Sequence, residues 1–178
     1  MLTNKSKFLA FLALIFISVP SLAQVQFSLS LLKYDQETSG STLGNVDSTT
    51  TIYNLKLGSQ LSNNLYVGGI YDHHNVEVNS SDEKRTSLGV TAGYHSGSWF
   101  LDASYFLTSQ IAFDGGATVK DGSGFGLDFG YTTSGSGSLF FGLQLSYKAF
   151  NYKKVDDTST NNSIESELYP MFNVGVKF

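Results

Sequence analysis

Six charged side chains lie within runs of residues that alternate between apolar and polar, and they occupy the polar positions of those runs. They are Lys56, Asp72, Arg85, Asp102, Asp128 and Lys148. Because an isolated buried charge is very costly, acids and bases that share one face of a sheet are expected to pair and fill an interior. We therefore predict an ionic network with Gln144 and Asn173 beside it. Two alternatives stay open, the gate of a narrow pore and paired carboxylates for acid–base chemistry.

Other patterns for catalysis or metal binding are weak. Asp72, His73, His74 and Glu77 offer imidazole and carboxylate groups, which are common metal ligands. Adjacent residues of a strand point to opposite faces, so both histidines cannot easily hold one ion. His95 is interpreted as a residue of a short turn. With no cysteine in the chain, disulfides, thiol nucleophiles and Cys-ligated zinc are excluded. No catalytic residue, cofactor or metal site is predicted.

The first residues have the pattern of a secretory signal. Lys5 and Lys7 precede an apolar run over 8–17, and Ser21-Leu22-Ala23 is typical of a cleavage site. The apolar run is shorter than the roughly 20 residues that a membrane-spanning helix requires. We predict a signal peptide over 1–23 and one domain over 24–178. Removing the signal leaves nine basic and fifteen acidic residues, a net charge of −6, which argues against binding to nucleic acid.

Eight runs of strict two-residue alternation follow, and they predict eight β-strands. The runs begin at Val25, Thr51, Leu65, Arg85, Trp99, Gly124, Leu139 and Leu168. One face carries Leu, Val, Phe and Tyr, whereas the other carries Gly, Ser, Thr, Asn and the scattered charges. Small polar residues suit the crowded lumen of an eight-stranded barrel, and lipid suits the apolar face. The predicted fold is an all-β, closed, antiparallel, up-and-down transmembrane barrel of eight strands. In this barrel, a pair between Lys56 and Asp102 or Asp128 would cross the lumen.

The connections between the runs alternate in length. Short turns are predicted over 62–64, 96–98 and 133–138. Long polar loops are predicted over 36–48, 73–84, 109–122 and 150–166, on the opposite, extracellular side. Pro170 is expected at the outer rim or in a bulge, because proline cannot donate to a strand ladder.

The outward aromatic residues fall at two levels along the strands, as expected for rings at the two membrane interfaces. The predicted interface residues are Tyr53, Tyr71, Tyr94, Trp99, Tyr105, Tyr131, Phe141 and Tyr147.

The chain ends on an alternating strand, Phe172-Asn173-Val174-Gly175-Val176-Lys177-Phe178, whose last residue is aromatic. With the eight runs, this ending resembles the small eight-stranded outer-membrane barrels of Gram-negative bacteria, the OmpA, OmpX and OmpW type. The resemblance covers nearly all of 24–178. It implies residence in the bacterial outer membrane as a monomer, contact with outer-membrane lipid and lipopolysaccharide, and recognition by the barrel-assembly machinery through Phe172, Val174, Val176 and Phe178.

The function predicted from these features is a non-enzymatic structural or surface-interaction role, exerted through the extracellular loops. A narrow or gated pore for small solutes is the alternative. A soluble, lipocalin-like ligand-binding barrel is a further alternative. A lipid-modifying enzyme would need His and Ser together on the outer surface, and the outward face instead carries Leu, Val and aromatic residues.

Overall fold

The computed structural model describes residues 24–40, 44–61, 64–78, 81–134, 138–155 and 158–178, so the predicted signal peptide lies outside the described residues. Eight strands fill most of this part of the chain: β1 Gln24–Gly40, β2 Gly44–Gln60, β3 Leu65–Val78, β4 Ser81–Ser96, β5 Trp99–Phe113, β6 Thr118–Ser134, β7 Leu139–Val155 and β8 Thr158–Lys177. Each pairs antiparallel with the next, and β8 pairs with β1. The predicted closed barrel is confirmed. No helix among the described residues is long and apolar enough to span a membrane.

The two faces of the sheet follow the alternation of the sequence. In β5, Leu101, Ala103 and Tyr105 are exposed on the outside, whereas Asp102 and Ser104 are buried in the lumen. This inversion of the usual pattern, with apolar residues outside and polar residues inside, is what an apolar surrounding requires.

The strands are tilted because the sheet closes with a stagger. Tracing paired residues from Phe27 through the successive strands leads to Ser166 on β8, whereas Phe27 pairs directly with Val176, ten residues away. For eight strands, a shear of this size corresponds to a tilt of roughly 40°. Because of this tilt, residues at the same height along the barrel axis are not register partners. Charged residues from distant strands therefore lie at the same height in the lumen.

The expectation of long unpaired loops was wrong. The polar segments are mostly continuations of the strands: β1 and β2 are separated only by 41–43, and β3 and β4 only by 79–80. The backbone N–H and C=O groups of these segments are satisfied by pairing between strands. This pairing forms in water as well as in lipid. The rim opposite the short turns is therefore built of polar hairpin ends, and we call it the outer rim.

The seam between β1 and β8 is short. Their pairing runs only from Gln26 with Lys177 to Leu31 with Phe172, although both strands continue towards the outer rim. The backbone of Phe178 donates to Val25 of β1, whereas the backbone of Lys177 donates to Ser138 on the other side. Since backbone N–H groups alternate between the two sides of a strand, even-numbered residues here face β1.

Pro170 explains where the seam ends. It lies two residues from Phe172 towards the outer rim, and its backbone nitrogen is on the side that faces β1. If the register continued by two more pairs, Pro170 would lie opposite Lys33. Proline has no N–H to donate there. Its pairing with Leu145 of β7 is regular and β8 continues outward from it to Thr158, so the expectation of a position at the outer rim or in a bulge was wrong. The proline instead removes a donor from an unpaired strand edge.

Candidate functional site

The six charged residues singled out from the sequence are all buried in the lumen. They form two groups. The lower cluster, near the short turns, contains Lys56, Asp102, Asp128, His95 and Ser146. The upper cluster, nearer the outer rim, contains Asp72, Arg85, Lys148, Asn54 and Glu167.

In the lower cluster, the ammonium group of Lys56 lies between two carboxylates. Its Nζ is 2.5 Å from Asp102 Oδ2 and 2.8 Å from Asp128 Oδ2. Ser146 donates a 2.5 Å hydrogen bond to Asp128 Oδ1. The residues come from β2, β5, β6 and β7, so one cation ties together strands on different sides of the barrel.

His95 is part of this cluster, which corrects its interpretation as a mere turn residue. Its Nε2 lies 2.8 Å from Asp102 Oδ1, and its ring stacks on Tyr66 at 4.8 Å between centroids. β4 continues to Ser96, and the tight turn at Gly97 has a positive φ of 59°. His95 therefore keeps the inward alternation of Arg85. Extending the predicted alternation of β4 by two residues beyond Gly93 would have predicted that His95 faces the lumen.

In the upper cluster, Arg85 makes a two-pronged contact with Glu167. Nη1 donates to Oε1 at 2.7 Å and Nη2 to Oε2, while the guanidinium lies 4.3 Å from the Phe150 ring centroid. Lys148 donates to Asp72 and, at 2.8 Å, to the side-chain oxygen of Asn54. Together these contacts join β2, β3, β4, β7 and β8.

Glu167 is a lumen residue that the sequence reasoning missed. Besides Arg85, it contacts Nδ1 of His74 at 3.3 Å. The predicted loop over 150–166 ended just before it, and the last alternating run was predicted to begin at Leu168, just after it. In strand eight the odd-numbered residues face inward. Extending this alternation from Met171 through Tyr169 would have placed Glu167 on the inward face.

The two histidines of the possible metal site lie on opposite faces, as the alternation predicts. His74 points inward to Glu167, whereas His73 stacks on outward Tyr53 at 4.8 Å between centroids. They are not placed to bind one ion together.

Neutral polar and aromatic side chains fill the space between and around the clusters. Ser30 donates to Gln144 at 2.9 Å, and Asn173 donates to Ser30 at 2.8 Å. Towards the outer rim, Phe106, Phe150 and Tyr152 pack inside the barrel with Ile70 and Ile111. A cavity of about 20 Å³ lies beside Lys56 and Asp102. That volume holds about one water molecule.

Lumen-facing glycines make room for the inward aromatic rings. A Cβ atom on Gly58 would lie 2.8 Å from Cζ of Tyr66 and 2.7 Å from Cα of Gly68, closer than real Cβ contacts allow. The Tyr66 ring and the neighbouring backbone together occupy the space that side chains at these positions would need.

The predicted interface aromatics all lie on the outer face. Among them, Tyr94, Trp99, Tyr105, Tyr131 and Phe141 are exposed, whereas Tyr53, Tyr71 and Tyr147 are partly exposed. In the last strand, Phe172 and Phe178 are among the most exposed apolar side chains, and Val174 is exposed between them.

Among the residues that the structure describes, Lys154 with Asp121 and Lys84 with Asp82 form ion pairs on the outer rim. Lys154 contacts Asp121 at 2.7 Å, and its hydrogen bond lowers the pKa of that carboxyl group. Lys84 contacts Asp82 at 2.5 Å, and the carboxylate raises the pKa of the lysine. Asp121 also has a positive φ of 54°, which is uncommon for a residue with a side chain.

Comparison with known proteins identifies the fold. No family model matches the chain, and no curated protein matches it at a significant level. The crystal structure of Neisserial surface protein A is similar, with a TM-score of 0.51, 19% identity, and coverage of 89% of this chain and 98% of that one. The NalP translocator domain from Neisseria meningitidis has a TM-score of 0.44, with 13% identity over 98% of this chain and 75% of that one. The beta domain of the Bordetella autotransporter BrkA has a TM-score of 0.40, with 16% identity over 86% and 69%.

Of these three structures, Neisserial surface protein A is similar enough to indicate a shared fold. It agrees with the closed sheet of eight antiparallel strands that the structure shows. The chain has the fold of the small eight-stranded outer-membrane β-barrels.

Proposed function

We propose that this protein is an integral, non-enzymatic β-barrel of the bacterial outer membrane, with a closed lumen and a polar outer rim that is available for surface interactions. The observation that carries this proposal is that the apolar face of the sheet is on the outside of the barrel and the polar face is on the inside, the reverse of a soluble barrel. Leucine, valine and aromatic side chains cover the outside, and buried ion pairs fill the inside. A soluble lipocalin-like barrel requires the opposite arrangement.

The packing of the lumen argues against continuous passage of solutes. Ion pairs cross it at two levels, and Phe106, Phe150 and Tyr152 pack inside it nearer the rim. The cavity beside Lys56 has room for about one water molecule. An ion that crossed this barrel would have to displace paired buried charges, which costs several kcal/mol.

The proposal of a non-enzymatic role is supported by the partners of the charged lumen groups. Lys56 forms ion pairs with both Asp102 and Asp128, and Arg85 holds Glu167, so these acids serve as structural partners. The exposed terminal strand supports a further part of the proposal, recognition of Phe172, Val174, Val176 and Phe178 by the assembly machinery during insertion.

Two measurements on the full-length protein test this function. Cell fractionation followed by gels of heated and unheated samples should recover it with the outer membrane, in a form whose migration changes on boiling. Recovery in the soluble periplasmic fraction would overturn the proposal. Planar bilayers that contain the purified protein should show no single-channel conductance above that of protein-free bilayers. Discrete conductance steps would instead establish the narrow pore.

A further inference from the structure

The lower cluster contains one more carboxylate than lysine. The side chains of Asp102 and Asp128 are each 2% exposed, and Lys56 contacts both of them. One ammonium group supplies one positive charge. If both acids are ionised, one negative charge remains in excess, and an uncompensated charge is costly in an interior of low dielectric constant. A second positive charge is therefore expected beside these acids.

Titratable side chains face the lower cluster from six strands: Lys56 from β2, Tyr66 from β3, His95 from β4, Asp102 from β5, Asp128 from β6 and Lys177 from β8. In the described part of the chain, β1 and β7 contribute neutral groups there, which are Gln26, Ser28, Phe140 and Ser146. Lys177 donates to Gln60 at 3.4 Å rather than to either acid. The second charge can therefore come from His95, since imidazole takes up a proton near neutral pH.

His95 and Lys56 hold opposite oxygens of one carboxylate. Nε2 of His95 lies 2.8 Å from Asp102 Oδ1, and Nζ of Lys56 lies 2.5 Å from Oδ2. Gly93, the register partner of Asp102, allows this arrangement, because a Cβ atom there would overlap Oδ1. With a side chain only 9% exposed, His95 interacts with this carboxylate more strongly than it would in water.

The aromatic rings around His95 also suit a cation. Its imidazole stacks on Tyr66, with 4.8 Å between centroids and 16° between planes, and the centroid of Phe100 lies 5.6 Å away. Phe100 lies against Lys56 as well, whose Nζ is 5.7 Å from the ring centroid. The faces of aromatic rings carry partial negative charge and attract cations. These rings therefore favour the imidazolium form of His95.

We propose that His95 is protonated in the folded barrel at neutral pH and supplies the second positive charge of the lower cluster, which makes the stability of the barrel depend on pH. With this proton, Lys56 and His95 balance Asp102 and Asp128. Loss of the proton leaves one carboxylate uncompensated. The folded barrel thus binds the proton more tightly than the unfolded chain does, so the stabilisation is complete at acidic pH and is lost as the pH rises. This switch acts at the short-turn end of the barrel, where the cluster joins β2, β4, β5 and β6.

Nitrogen NMR of the full chain, labelled with ¹⁵N at histidine and held in detergent micelles, measures the proton directly. The chain has three histidines, and His73→Gln and His74→Gln each remove one of the other two signals, so His95 is identified without altering the cluster. At about pH 7, both ring nitrogens of His95 should carry protons. A neutral His95 ring at this pH would overturn the proposal.

Urea midpoints at about pH 5.5 and about pH 8.5 measure the effect on stability, since this range spans the titration of histidine. The wild-type midpoint should fall as the pH rises, and His95→Gln should lose most of this difference. His73→Gln is the matched control, because His73 lies on the outer face against Tyr53, and it should keep the difference. A difference of wild-type size in His95→Gln would contradict the proposal.

Asp128→Asn separates charge balance from a simple hydrogen bond. This variant removes the excess negative charge, and it leaves the contact between His95 and Asp102 in place. It should therefore reduce the pH dependence as much as His95→Gln does. An undiminished pH dependence in Asp128→Asn would show that His95 acts through its contact with Asp102 alone, which would overturn the balance of two cations and two acids. If His95 is neutral in a protein whose migration still changes on boiling, this inference fails and the proposed barrel function stands.

Discussion

Lys56 donates a 2.5 Å hydrogen bond to Asp102 inside the barrel, and both side chains are at most 3% exposed. The same ammonium group holds Asp128 at 2.8 Å. One cation thus forms ion pairs with two buried acids that are contributed by neighbouring strands, β5 and β6. Without it, the two carboxylates would face each other in a space of low dielectric constant.

Replacing Lys56 with methionine should therefore destabilise the barrel strongly. Breaking a buried ion pair by removing one partner costs about 3–5 kcal/mol, since the remaining charge is left uncompensated. Urea titration of the refolded protein, followed by the fraction that shifts on unheated gels, measures the loss. Lys33→Met is the control, because Lys33 is exposed.

The triple variant K56M/D102N/D128N separates loss of compensation from loss of packing. Neutralising the acids should restore most of the stability that K56M loses. A triple variant as unstable as K56M would show that the cation contributes through shape alone.

Substituting Gly58 should disturb the lumen even though the added group is a single methyl. In Gly58→Ala the new Cβ atom would meet the carbonyl oxygen of Val67 at 2.3 Å, Cα of Gly68 at 2.7 Å and Cζ of Tyr66 at 2.8 Å. Overpacking of this kind typically costs about 1–3 kcal/mol. Gly115→Ala is the matched control, because nothing lies within 4 Å of a Cβ atom there. Equal urea midpoints for the two variants would contradict the close packing of the β3 backbone and Tyr66 around Gly58.

Replacing Pro170 with valine should lengthen the seam between β1 and β8. The new N–H group would face β1 and could donate to the carbonyl oxygen of Lys33, two pairs beyond Leu31 and Phe172, where the register now stops. One backbone hydrogen bond contributes about 0.5–1.5 kcal/mol. Hydrogen exchange measured by NMR in micelles should show slower exchange of the β1 and β8 amides near this position.

The converse substitution, Val174→Pro, removes a donor from the paired part of the seam, where Val174 faces Leu29. It should speed exchange along the same strands and lower the stability. Unchanged exchange in both variants would mean that Pro170 does not set the end of the seam.

The terminal phenylalanine should matter for assembly more than for stability. Phe178 is 75% exposed, and its backbone N–H donates to Val25, so Phe178→Ala keeps the hydrogen bond and removes only the ring. In cells, the amount of folded protein in the outer membrane should fall several-fold. The purified variant should refold in detergent like wild type. Leu143→Ala, at a similarly exposed outward position, is the control and should assemble normally. Equal loss in both variants would point to lipid contact rather than recognition.

Much of the fold follows from local patterns in the chain. The period-two alternation is repeated eight times, and it decided the number of strands, the face of each residue and the position of Lys56 and Asp102 in the lumen, because side chains of a strand alternate without exception while the ladder is regular. Prediction failed where the polar segments begin. Ser, Thr, Asn and Asp favour turns, so the segments around 36–48 and 73–84 were interpreted as loops. Pairing with a partner strand overrides that preference.

The sequence by itself determined which residues face inward and outward, and it showed that acids and bases share the lumen in equal numbers at the predicted positions. Only the tertiary structure decided which charges meet. The stagger of ten residues brings Arg85 of β4 to Glu167 of β8 and Lys148 of β7 to Asp72 of β3. These partners lie far apart along the chain, and the shear of a closed sheet belongs to all eight strands at once, so no local pattern contains it.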